Sequence, residues 1–250
     1  MHRLTTPIRP NLGALPQLYL GIATFILFDA NPLDLVIPET EGPDQLARCE
    51  QVMRELDQVQ DIELLFECQE FYWHAPDHDD PPGSYQNITK LIQRSLELDP
   101  FQADQYANLA FLYYSQWCSW KKRPEEAPYG AGGAEGARNV LEIGSFYCWN
   151  NAQFHIEAGL QFSTMARYHD PAFHVPAIRF LEWTAALPNA TPAQQARALI
   201  SIGHIHRAQG DKAAAREAYQ MAIRAEPDNL IAPRQIRLLE RSDAGQESNP

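Results

Sequence analysis

The stretch that most restricts the fold is "ARALISIGHIHRAQGDKAAAREAYQMAIRAEPDN", the 34 residues from Ala196 to Asn229. Its apolar and small residues recur three and four apart in two halves, the spacing of two amphipathic helices. Gly210-Asp211 separates the halves and Pro227 stops the second, so the unit reads as a helix–turn–helix hairpin. Gly203 lets the second helix approach the first closely. Ala215 and Ala222 do the same from the other side, and Tyr219 fills the space between them.

The spacing recurs upstream. "LIQRSLELDP", Leu91 to Pro100, ends a hairpin and runs into Ala103 to Trp117, where Tyr106, Leu109, Ala110 and Tyr113 repeat the pattern. After an insertion from Trp120 to about Glu135, Ala137, Leu141 and Gly144 supply a second helix. The next unit opens at Ala152 with Ala158, Gly159 and Phe162. It resumes at Ala177 and Leu181 beyond a lengthened turn holding Pro171 and Pro176. In a first unit, Asp61 to Pro100, the first helix fits badly, because Glu67 takes an apolar position in the register that puts Cys68 at the small one. Together these patterns resemble the tetratricopeptide repeat. In the last unit Leu199, Ile202, Gly203, Ala215, Tyr219, Ala222 and Pro227 match its motif, and only His206, where an aromatic is usual, departs. The resemblance covers Asp61 to Glu240. It implies an all-α fold, a right-handed superhelical solenoid of antiparallel helix hairpins, behind an N-terminal apolar segment. A helix near Asp44 to Val59 precedes the hairpins, and one near Ile231 to Arg241 caps them with charges facing outward.

The resemblance also implies a function: a non-enzymatic scaffold that presents the concave face of its first helices to a protein partner or peptide segment. Carried over, that face includes Asp104, Ala107, Phe111 and Tyr114, then Gln153, Ile156 and Leu160, and finally Arg197, Ile200, His204 and Arg207. It lacks the basic-and-asparagine clamp with which chaperone-binding members grip a C-terminal carboxylate. Trp117 and Trp120, beside the insertion, are further partner-binding candidates, because Trp is enriched at interface centres; the alternative is that both cap the core under the insertion. His206 reads as a packing histidine between two helices. His204, two residues away, faces a different direction, so the two cannot readily share a metal ion.

A formal charge of −12 argues against nucleic acid, which demands clustered Lys and Arg. At the N-terminus Arg3 and Arg9 precede an apolar run densest from Leu18 to Phe28, and Asp29, Asp34, Glu39, Glu41 and Asp44 follow it. That polarity fits an N-terminus held in the cytoplasm with the rest translocated. The dense run is short for a span, and Ala30 with Phe28 makes a poor cleavage site, so an uncleaved anchor fits better than a cleaved signal. An apolar arm packed on a partner is the third reading. The expected organisation is an anchor or signal-like segment over 1–30, a Pro-rich acidic linker over 31–43, the helical domain over 44–241 and a disordered polar tail over 242–250. The protein is then membrane-associated with its repeats outside the cytoplasm; the alternative is cytoplasmic.

The rival class is a metal-dependent hydrolase using loops rich in His and Asp. "HAPDHDDPPG", His74 to Gly83, is the most metal-like string, and His169, Asp170 and His174 share the turn of the third unit. Both read first as solvated inter-helix loops, so no metal ligand, catalytic residue or cofactor is assigned. "YGAGGAEGA" lacks the lysine-hydroxyl ending of a phosphate loop. Cys49, Cys68, Cys118 and Cys148 show no metal-ligand spacing and read as buried thiols, with a disulfide open in an exported chain and no pairing singled out.

Overall fold

A computed structural model describes residues 43–74, 81–120 and 133–247. All regular structure among them is helical. A leading helix, α1 (Pro43–Arg54), and a short 3-10 turn (Leu56–Gln58) precede four hairpins: α2 (Ile62–His74) with α3 (Pro81–Leu98), α4 (Ala103–Trp120) with α5 (Ala134–Tyr147), α6 (Ala152–Tyr168) with α7 (His174–Ala186), and α8 (Pro192–Ala208) with α9 (Lys212–Ala225). A last helix, α10 (Ile231–Glu247), packs on α9 and extends past the Arg241 end expected from sequence. Within each hairpin the two helices pack together, and the first helices α4, α6 and α8 also pack side by side.

The boundaries follow from local chemistry. Asn151, Asp211 and Asn229 each place a side-chain oxygen on backbone N–H groups that the first turn leaves without partners. Thr191 and Gln194 make a reciprocal capping box, with Pro192 at the first helical position, where its missing N–H costs nothing. Gly210 closes α8 with φ at 82°, which glycine adopts without strain, while Asp211 N–H donates to the His206 carbonyl.

Packing depends on small residues opposite large ones. A Cβ added at Gly203 would lie 2.4 Å from Tyr219 Cε1, and one at Gly159 2.6 Å from Leu181 Cγ. One at Gly144 would meet both Tyr106 and Phe154 at 2.7 Å, so this glycine brings α5 close to its own hairpin partner and to the next hairpin. Tyr106, Tyr219, Phe154, Phe162 and Phe180 are the largest fully buried side chains, and one apolar cluster runs from Cys49 to Leu239.

Three expectations shift. The ill-fitting Glu67 is exposed, and it pairs with Arg48 of the neighbouring single helix α1 at 2.9 Å. Pro81 and Pro82, read as loop, open α3, because proline fits the first turn of a helix. Pro176 likewise sits in the first turn of α7, leaving Pro171 in a 3-10 turn capped by Asp170. Residues 1–42, residues 121–132 of the insertion expected from Trp120 to about Glu135, and residues 75–80 of the His- and Asp-rich string lie outside the described residues.

Candidate partner-binding groove

Because α4, α6 and α8 pack side by side while α5, α7 and α9 cover their other side, one continuous face is left to the first helices. Gln161 of α6 ties it together by donating from Nε2 to the Ala107 carbonyl of α4 at 2.6 Å. Asp104, Arg197 and Arg207 are exposed along it, and Phe111, Gln153, Leu160 and His204 are half-buried. Ile156 is fully buried, and Ile200, Tyr114 and Ala107 nearly so. Ile156 and Ile200 therefore shape the face mainly by packing. Trp117 and Trp120 lie in the last turn of α4, and their side chains are outside the described residues.

Sequence reasoning missed Glu157. It is half-buried on α6, and Gln153 Nε2 donates to its Oε1 at 2.7 Å. Burial pushes its carboxyl above the usual range and Asp104 adds to the push, while the Gln153 hydrogen bond and Arg197 pull it back. The residues Asp104, Glu157 and Arg197 therefore share one electrostatic neighbourhood across three helices. The clue in the sequence was Gln153 four residues before Glu157, a helical hydrogen-bonding pair.

At one end of the array, Ile62, Glu63 and Phe66 of α2 face Asp99, Gln102 and the α4 start, Ala103 to Gln105, across a cleft of ≈ 460 Å³. Its charged lining is wholly acidic: Glu63, Asp99 and Asp104. Gln105 is only 9% exposed, and the Oε1 atoms of Gln102 and Gln105 are buried without a hydrogen-bond donor among the described residues. At the other end Arg207 Nη1 donates to Gln235 Oε1 of α10 at 2.7 Å, and Arg197 lies on the same helix. Acidic groups thus line the cleft beside α4, and the basic Arg197 and Arg207 lie on α8.

The two histidines of the last repeat separate. His206 is half-buried, and His204 packs edge-on against Tyr219 with ring centres 5.7 Å apart. Burial, with Arg207 nearby, lowers the His204 pKa. A more deeply buried histidine escaped the sequence reading. His155 stacks on Trp183 at 4.8 Å and bonds the Trp149 carbonyl through Nε2 at 3.0 Å, which makes Nε2 the protonated nitrogen of the neutral ring. Burial lowers its pKa.

Among the described residues no group of three or more His, Cys, Asp or Glu side chains is placed to hold a metal ion. His74 ends α2, and His169 is exposed. Asp170 caps a turn, and Cys49, Cys68 and Cys148 are buried and form no disulfide among the described residues. Among the described residues no helix is long and apolar enough to cross a membrane.

Paired helices, glycine-to-ring contacts within and between hairpins, and first helices laid side by side decide the architecture. The fold is a tetratricopeptide-like repeat array. No protein-family profile matches the sequence, and no curated protein does. Among solved structures, a crystal structure of MamA is similar, with a TM-score of 0.47 and 17% identity over 73% of this chain and 86% of that one. A thermophilic TPR protein of Thermus thermophilus is similar with a TM-score of 0.42 and 16% identity, over 78% of this chain and 98% of that one.

Proposed function

We propose that the array is a non-enzymatic interaction module whose α4–α6–α8 face receives an extended segment or a helix of a protein partner. Glu157 carries this reading. A carboxyl held half-buried in a face of aromatic and aliphatic residues costs stability in the free chain, and a basic side chain of a partner would offset that cost. Charge adds direction: Asp104 on the face, with Glu63 and Asp99 in the adjoining cleft, suits Lys or Arg of the partner, and Arg197 and Arg207 suit acids. Phe111 and Leu160 supply the apolar contact between.

The N-terminal segment, by this reading, tethers the module to a membrane with the repeats on the extracytoplasmic side, on the strength of the Arg3 and Arg9 flank before the apolar run and the acids after it. Carbonate treatment of membranes tests the tether: retention supports it, and release makes the segment a peripheral arm. The module itself is tested by recovering a stoichiometric partner with tagged full-length chain, then with Asp104→Lys and Arg197→Glu. Both exposed substitutions leave the core intact. Loss of the partner in both supports the face, and undiminished recovery in both removes it from the function.

A further inference from the structure

The geometry points to a disulfide site between Cys49 of α1 and Cys68 of α2, closed by exchange with a small-molecule disulfide, that clamps the leading helix onto the first hairpin. The two thiols are 1% and 0% exposed, sit on helices that pack together, and share a thiol–thiol hydrogen bond. The residues just before them, Arg48 and Glu67, form an ion pair at 2.9 Å, so two successive cross-helix contacts fix the register that presents one sulfur to the other. Tyr72, one turn beyond Cys68, is buried near both sulfurs.

The place in the fold gives the bond a consequence. Between Gln45 and Arg54, α1 buries only Cys49 and Val52, with Met53 partly packed against the core. An isolated helix of this length is marginal in water, and such thin anchorage lets α1 detach readily. Burial raises the pKa of the Cys68 thiol, which slows exchange while α1 is docked; lifting α1 exposes Cys49 to the oxidant. The thiolate of Cys49 then attacks glutathione disulfide, expelling one glutathione thiolate and forming a mixed disulfide. The thiolate of Cys68 next attacks the Cys49 sulfur and expels the second. Two protein thiols are oxidised, one glutathione disulfide is reduced to two glutathiones, and the two thiol protons end on them.

The test uses the full chain in buffers of reduced or oxidised glutathione, acid-quenched, alkylated and digested without reductant. The expected result is a linked Cys49–Cys68 peptide as the main product, with amide exchange across residues 45–54 slowed roughly tenfold or more. Cys49→Ala should give neither, and Cys118→Ser with Cys148→Ser together should keep both. Full alkylation of Cys49 and Cys68 after oxidation, a link through another cysteine, or unchanged exchange in α1 despite the link each overturns the clamp.

Discussion

Gly203→Ala tests how the hairpins are packed. The new Cβ would meet Tyr219 at 2.4, 2.7 and 2.9 Å, against the roughly 3.5–4.0 Å of a relaxed carbon contact. Tyr219 is 0% exposed, so its ring cannot swing into solvent, and α8 and α9 must separate by roughly an ångström. Overpacking of this kind costs about 1–3 kcal/mol, and three contacts on a rigid ring place it near the upper end. Alanine returns about 1 kcal/mol through helix propensity, which leaves a net loss of about 1–2 kcal/mol. For a chain of this size that lowers Tm by roughly 3–6 °C, read by far-UV circular dichroism. Repeating the substitution in a Tyr219→Ala background removes all three contacts, and there Gly203→Ala should be neutral or stabilising. A coupling of about 2 kcal/mol between the positions follows. A rise in Tm in the native background, or the same effect in both, refutes the packing account.

Three further outcomes are expected. His155 has a folded pKa below the unfolded 6.5, so its contribution to stability is present above pH 6.5 and is lost as pH falls below it. Tm measured across that window should drop with acid, less steeply in His155→Gln, although His174 and His204 act in the same direction. Glu157 has a folded pKa above 4.5, so its contribution is present below pH 4.5 and is lost as pH rises. Glu157→Gln should therefore raise Tm at neutral pH, lose that gain below pH 4.5, and weaken partner binding in the same preparation. Asn151→Ala removes the oxygen that accepts from Phe154 N–H at 3.0 Å and should cost ~1 kcal/mol in a denaturant titration.

The sequence disclosed the hairpins where packing rests on residue size at fixed spacing. Gly203, Ala215, Tyr219 and Ala222 are all buried where the motif puts them, and the unit from Ala152 opens α6 at that residue. The first hairpin was obscured because Glu67 faces α1, so a charged side chain replaces the apolar one that a preceding hairpin would require. The face was legible as a row of positions, yet burial within the row was not. Ile156 is fully buried while Leu160, one turn on, stays partly open. Such differences depend on how far adjacent helices approach each other, which no single helix records. Glu157, the Gln105 amide oxygen and the His155–Trp183 stack are likewise features set between elements, whose surroundings come from other helices or turns.

The central claim is tested most directly by placing a photo-crosslinking residue at Leu160, on the α4–α6–α8 face, and at Met221, exposed on α9, in otherwise native full-length chain. The account predicts a covalent adduct with one protein from Leu160 and none from Met221. An adduct from Met221 with none from Leu160 would contradict it.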